Sequence, residues 1–572
     1  MSAYSLLLVR PLAAGSAAGV LLALAACSAS GPEPEAQGKP AAPAAALHDS
    51  LAAPVAAEAR AELTRKRESL LPNQVAHVPS PMLDTLPPGY RDIPREQYQA
   101  YADNPVFAVA ETPVSTFSID VDTGSYANVR RFLNGGQLPP KDAVRLEELV
   151  NYFPYTYPQP TGDAPFGVST ELAVTPWNPQ TRLLRIAIKA SDRSVEELPP
   201  ANLVFLVDVS GSMQRREGLP LVQGTLKLLV EQLRPQDRVS LVTYAGDSQV
   251  VLDSTPGSDK AKIRAAIDQL SAGGSTAGES GIQLAYQQAG KHLIDGGINR
   301  ILLATDGDFN VGISDFDSLK QLAADKRKTG VSLTTLGFGV DNYNERLMEQ
   351  LADAGNGNYA YIDNLREARK VLVDQLGSTL ATVASDVKLQ LEFNPSEVSE
   401  YRLLGYENRA LKREDFSNDK VDAGDIGAGH TVTALYEIVP AGGKGWLEPL
   451  RYQANAQPAS KSGELAWLRI RYKAPGEAAS RLLERPIARA EAKPMNAASE
   501  DLRFAAAVAA FAQQLKDGRY TGDFGLAQSI ELARSAKGED RFGLRGEFIQ
   551  LAEIAQSLHT AGSTSSPVRA PQ

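Results

Sequence analysis

The sequence predicts an α/β fold: a doubly wound, mostly parallel sheet inserted between β-rich flanks, with a small helical unit near the C-terminus. Three observations lead there. Between residues 201 and 380, short continuous apolar runs alternate with amphipathic helical stretches, the pattern of a sheet covered on both faces. Strand-like runs recur on both sides of that region. From residue 491 onward, apolar side chains return every three or four positions.

The elements follow in order. The apolar run Asn202–Val209 reads as a buried strand, and Leu219–Leu233 as a helix. Arg238–Tyr244 is a second strand, followed by helices at Lys260–Leu270 and Glu279–Leu293. Arg300–Thr305, a helix over Asp315–Lys328 and the strand Val331–Phe338 continue the alternation. A helix at Glu345–Ala354, a strand at Tyr359–Ile362 and one helix from Leu365 to Leu380 close it. Such sheets bind ligands beyond the C-terminal ends of their strands.

Upstream, Thr116–Asp120, Val168–Val174 and Leu183–Ile188 read as strands, and Tyr126–Leu133 and Leu146–Phe153 as helices. Downstream strands are Val387–Phe393, Thr431–Val439 and Leu465–Tyr472. The two flanks are expected to build one β-sandwich with the α/β region inserted into it. Three helices around Phe504–Leu515, Phe524–Ala536 and Phe548–Leu558 form an antiparallel unit. The resulting division is 1–27, 28–90, 91–200, 201–380, 381–490, 491–560 and a Ser/Pro tail at 561–572.

The chain has 572 residues and a net charge of −10. That length requires several domains. The acidic balance argues against nucleic acid and anionic lipid surfaces as partners. Cys27 is the single cysteine, so no intrachain disulfide forms. His48, His77, His292, His430 and His559 show no metal-ligand spacing, which removes most zinc chemistry and the Cys/His hydrolases.

An apolar run after Arg10 ends in Leu24-Ala25-Ala26-Cys27. It resembles a bacterial lipobox, which implies cleavage before Cys27 and acylation of its sulfur. Ser28, rather than Asp, points to the outer membrane, facing the periplasm or the exterior. Residues 28–90 are an Ala/Pro-rich tether.

The chemistry gathers at the predicted strand ends. Asp208-Val209-Ser210-Gly211-Ser212 ends one strand, Thr276 sits in the loop before a helix, and Asp306 ends another strand. Two carboxylates and three hydroxyls offer only oxygen, the donor set of a hard cation such as Mg²⁺, with Mn²⁺ or Ca²⁺ as substitutes. In an extended turn Asp208, Ser210 and Ser212 share a face, and Gly211 lets the backbone turn between the serines.

Asp208-x-Ser210-x-Ser212, Thr276 and Asp306 resemble the metal-ion-dependent adhesion site of the von Willebrand factor type A (VWA) domain, over about residues 200–380. The resemblance implies that Ser210, Ser212 and Thr276 coordinate directly and that Asp208 and Asp306 act directly or through water. A partner's Asp or Glu then completes the octahedron. Ser118-Ile119-Asp120-Val121-Asp122-Thr123-Gly124-Ser125-Tyr126 extends the likeness to a bacterial family of VWA lipoproteins over about residues 90–560. Such proteins are often labelled after calcium-activated chloride channels. No segment after the signal has the length and apolarity of a membrane span, which argues against a channel.

Other motifs fail. Asp122-Thr123-Gly124 matches an aspartic protease triplet, but the chain carries no second one. It reads as a helix N-cap before Tyr126. An EF-hand loop starting at Asp120 would put Arg131 where a Glu is needed. Gly337-Phe338-Gly339 lacks the third glycine of a dinucleotide fingerprint. With no nucleophile or acid–base pair in evidence, an enzyme is not expected. The expected role is a lipid-anchored envelope protein that grips a macromolecule through its metal. The alternative is an envelope assembly or chaperone-like factor recruiting substrates to a partner ATPase or machine.

Overall fold

The computed structural model describes residues 96–119, 122–162, 164–275, 278–307, 316–340, 343–448, 450 and 463–564. Cys27 and the tether lie outside the described residues, as do Thr276 and Asp308.

The central sheet has six strands. Edge to edge they are Tyr359–Tyr361, Ser332–Gly337, Ile298–Thr305, Ala201–Asp208, Arg238–Tyr244 and Ser248–Pro256. All neighbours are parallel except the last pair, a hairpin. Every residue of Ala201–Asp208 is buried, as a strand covered on both faces must be. Leu219–Gln232 and Lys260–Asp268 cover one face, with Val222, Leu226 and Ile263 in its core. Gly278–Lys291 and Phe316–Lys326 cover the other through Ile282, Ala285 and Leu319.

The strand Ser248–Pro256 has no counterpart among the sequence-predicted elements. Its side chains are mostly exposed or half-buried, so it lacks the apolar run that marks its neighbours. The helix expected over Leu365–Leu380 is broken. Leu365–Arg369 passes into a π turn at Lys370–Asp374, where Gln375 N donates to the Lys370 carbonyl at 2.8 Å, and Leu376–Leu380 resumes the helix.

The flanks do form one sandwich. One sheet orders Phe107–Ala108, Val398–Leu404, Thr431–Pro440, Arg182–Ala190 and Phe166–Val174, all antiparallel. In the other, Thr382–Phe393 lies between Glu464–Lys473 and Val114–Ser118. Each sheet thus mixes strands from before residue 200 and after residue 380. Phe117, Ile186, Ile188, Leu389, Tyr436 and Ile470 share the core between them.

The C-terminal helices Glu500–Lys516, Leu526–Ser535 and Leu544–Thr564 do not pack only on one another. Phe504, Phe511 and Phe548 enter the same core as Tyr126, Tyr152 and Phe153 of the upstream helices. Phe153 meets the Phe504 and Phe548 rings edge-on, with centroids 4.9 and 5.7 Å away. Among the described residues, no helix is long and apolar enough to cross a membrane.

The cap expected at Asp122–Ser125 is absent, and Thr123 makes no side-chain bond to the helix Gly124–Asn134. Asp122 instead accepts from Tyr359 N at 2.9 Å and pairs with Arg409 at 3.2 Å. Ser125 Oγ donates to the Ala143 carbonyl at 2.6 Å. A tertiary partner outcompetes the local turn, because Asp122 is 5% exposed and a buried carboxylate needs a cation.

Candidate metal centre

The site begins with two adjacent parallel strands. Ala201–Asp208 and Ile298–Thr305 pair in register, Val207 opposite Ala304. Asp208 and Asp306 therefore emerge side by side at the same edge, and are 0% and 2% exposed. The chain then turns through Ser210, which is buried, to Gly211 and Ser212, which are exposed.

Hydrogen bonds fix this turn. Ser210 N donates to Asp208 Oδ1 at 2.8 Å. Gly211 N donates to the Gly274 carbonyl at 3.1 Å, and Gly273 N to the Val209 carbonyl at 2.8 Å. These two bonds zip the loop that leads to Thr276 onto the Asp208–Ser212 turn. Four of the five predicted ligand residues are described, and they cluster here. Thr276 follows directly on this zipped loop but lies outside the described residues.

Two further side chains belong to the site, and periodicity gave no hint of either. Thr305 Oγ1 donates to Asp208 Oδ2 at 2.9 Å, and Tyr244 OH donates to the same oxygen at 3.2 Å. Both end strands that flank Ala201–Asp208. A polar side chain at the last position of a buried strand is the signal that could have found them. The Thr305 hydroxyl also accepts from Gly307 N at 3.1 Å, tying the Asp306 turn to Asp208. Gly339, at φ +78°, lies against Asp306, where a Cβ would come 3.1 Å from the aspartate's own Cβ.

Burial, with repulsion from Asp306, pushes the Asp208 carboxyl up to about 6, against the lowering effect of its bonds to Ser210 and Thr305. Two carboxylates forced together in a buried edge favour a cation between them. The donors fit one. Ser210 Oγ and Ser212 Oγ are 3.1 Å apart, close to the edge of about 2.9 Å of an octahedron with Mg–O bonds near 2.05 Å. Both oxygens of Asp208 already accept hydrogen bonds, which suits contact with a metal through water. Among the described residues, no three His, Cys, Asp or Glu side chains form a metal-binding group, so the hydroxyls are indispensable to such a site.

Three family models match successive regions of the chain. A family model described as von Willebrand factor type A domain matches residues 202–374. One described as von Willebrand factor matches 92–185, and one described as Uncharacterized protein YfbK, C-terminal, matches 378–558. The chain is 54% identical over 471 residues to the Escherichia coli (strain K12) protein named Uncharacterized protein YfbK, a match that covers 81% of each. It is 27% identical over 216 residues to inter-alpha-trypsin inhibitor heavy chain H3 of Bos taurus, covering 36% of this chain and 22% of that one. The solved structure of a von Willebrand factor type A protein from Catenulispora acidiphila covers 66% of this chain and 88% of its own, at 16% identity and a TM-score of 0.37. The chain belongs to the YfbK family of bacterial proteins with a von Willebrand factor type A domain.

Proposed function

We propose that this protein is lipid-anchored in the cell envelope through Cys27 and binds an acidic group of a protein partner through a divalent cation, in an adhesion or scaffold role. Asp208, Ser210, Ser212, Thr276 and Asp306 hold the metal, which is Mg²⁺ in this reading. The observation that carries it is the convergence of Asp208, Ser210 and Ser212 with Asp306 at one strand-end edge. Ser212 lies at the exposed rim, where a partner's carboxylate would reach a cation held there.

When bound, the cation supplies an electrophilic centre with neutral hydroxyl ligands, which draws a carboxylate from outside. The chain's own residues do the positioning. Thr305 and Tyr244 fix the Asp208 carboxylate, and the Gly273–Val209 and Gly211–Gly274 bonds hold the serine turn against the neighbouring loop. A site of this kind recognises a partner without turning it over, consistent with a binding module rather than an enzyme.

The test has two arms. Mn²⁺ titration followed by electron paramagnetic resonance should show one site that disappears in Asp208→Ala and in Ser210→Ala/Ser212→Ala. Partners cross-linked in envelope extracts should be lost on EDTA treatment and in Asp208→Ala. Retention of the same partners by Asp208→Ala would refute metal-dependent binding. For the anchor, radiolabelled palmitate should enter the wild-type chain and not Cys27→Ala; equal labelling would remove Cys27 from the reading.

A further inference from the structure

Beside the last helical segment of the metal domain lies a cleft of about 630 Å³, and none of its lining residues belongs to the metal centre. Its walls are the 366–378 segment, the turn after Arg182–Ala190, the corner at residues 428–431 and the start of the last helix. Five cationic side chains line it against two carboxylates, in a chain whose net charge is −10. A concavity with an excess of one sign of charge draws counter-charge into it.

Arg366 pairs with Glu547 at 3.3 Å and Lys370 with Glu367 at 3.5 Å; of the other three cations, one is well satisfied, one loosely and, among the described residues, one not at all. Lys189 Nζ donates to Asp192 Oδ1 and to the Gly429 carbonyl, both at 2.7 Å. Arg369 approaches Asp374 only to 3.9 Å and is 65% exposed. Arg193 is exposed and makes no ion pair or side-chain hydrogen bond among the described residues. The half-buried His430 feels this field. Burial, then Lys370 and Lys189, push its imidazole down to about 4, so at neutral pH it adds no charge of its own.

The other wall is apolar. Val373, Leu544 and Phe542 line it, and the Phe542 ring is 46% exposed. A large aromatic left in water on a cleft that also carries the unpaired Arg193 and the loosely paired Arg369 marks a surface that a mixed ligand would cover. A purely polar anion would leave Phe542 wet. A purely apolar molecule would strip water from Arg193 and Arg369 without replacing it.

We propose that this cleft binds an amphiphilic anion, with a carboxylate or phosphate head against Arg193 and Arg369 and an apolar body against Phe542, Leu544 and Val373. The volume is that of a site for one such molecule. Two sources share this chemistry, a free fatty-acid carboxylate and an anionic phospholipid.

The experiment is calorimetric titration of the full chain carrying Cys27→Ser, which keeps it free of any acyl group. Dodecanoate and dihexanoyl-phosphatidylglycerol are added as monomers; dodecyltrimethylammonium and inorganic phosphate are the controls. Saturable binding of either amphiphilic anion is expected, and the one that binds more tightly identifies the source. Arg193→Glu/Arg369→Glu should weaken it by about tenfold or more through reversed charge, and Phe542→Ala by about fivefold through lost apolar cover. These three side chains are exposed or partly so, and unchanged melting temperatures will show that the variants fold. No saturable binding of either anion would overturn the proposal. So would equally tight binding of dodecyltrimethylammonium, equally tight binding of phosphate alone, or unaltered affinity in the double variant.

Discussion

The Thr305 hydroxyl donates to Asp208 Oδ2 at 2.9 Å while accepting from Gly307 N at 3.1 Å. One hydroxyl therefore holds the carboxylate at the end of one strand and the turn that carries Asp306 at the end of the next. Partners of this kind orient metal ligands without touching the metal. Thr305→Val keeps the shape of the side chain and removes the bond. Mn²⁺ affinity is expected to fall by about tenfold, with the far-ultraviolet circular dichroism spectrum unchanged. Affinity equal to wild type would show that the hydroxyl only closes the strand.

Gly339 presses on the same site from the other side. Its φ of +78° and the 3.1 Å approach of a would-be Cβ to Asp306 both oppose a side chain there. Gly339→Ala is expected to lower stability by about 1–2 kcal/mol, the cost of the left-handed conformation for an L-residue. It should also weaken Mn²⁺ binding, because the methyl displaces Asp306. Thermal melts with and without Mn²⁺ separate the effects: the metal-induced rise in melting temperature should shrink, not merely the baseline.

Arg130 joins three regions of the chain. It is wholly buried and bonds Glu367 Oε2 at 2.8 Å, Tyr152 OH at 2.8 Å and Glu547 Oε2 at 3.1 Å, with Asp363 alongside. Its charge offsets three carboxylates from the von Willebrand factor type A domain and the last helix. Arg130→Met should destabilise the chain by about 3–5 kcal/mol, because Asp363 loses its ion pair and Glu367 and Glu547 keep only Lys370 and Arg366. Adding Glu367→Gln should restore part of the loss. Urea unfolding of the single and double variants measures both.

Acid residues cluster where the helix Leu146–Asn151 meets Glu345–Ala354. Burial and repulsion from Glu349 and Glu147 push the Glu148 carboxyl up to about 8. Glu345 stands well above the usual range, chiefly through burial, and neither of its oxygens has a hydrogen-bond partner. A carboxyl raised on folding binds its proton more tightly in the native state. Its contribution is whole below the unfolded value near 4.3 and is lost as pH rises through about 8. Glu148→Gln mimics the protonated form while keeping an acceptor for Ser125 N, which now bonds Glu148 at 2.8 Å. The variant should melt with the wild type at pH 4 and about 2–4 °C above it at pH 8.5. Parallel melting curves across that range would rule out Glu148 as the titrating group.

Much of this molecule could be read from the sequence. The buried strands of the von Willebrand factor type A domain announced themselves as unbroken apolar runs, and a parallel strand covered on both faces has no other way to look. Asp208, Ser210, Ser212 and Asp306 were legible because a turn at a strand end is a local feature. The hairpin strand Ser248–Pro256 was not, since half of its surface faces water and its pattern is mixed. The break at Lys370–Asp374 was also hidden, because its apolar spacing still reads as helix.

By itself, then, the sequence determined the alternating architecture, the cluster of Asp and Ser residues at the strand ends and the expectation of a sandwich split by an insertion. Tertiary structure alone decided which strands pair across the insertion, such as Leu389 with Phe117 and Ala434 with Ile186. It also decided that Asp122 braces Tyr359 and Arg409 rather than capping a helix, that Thr305 and Tyr244 hold Asp208, and that Arg193 and Phe542 face one cleft. The reason is physical. Periodicity records which side of an element is buried, whereas the partner that buries it is chosen by charge and shape among residues hundreds of positions away.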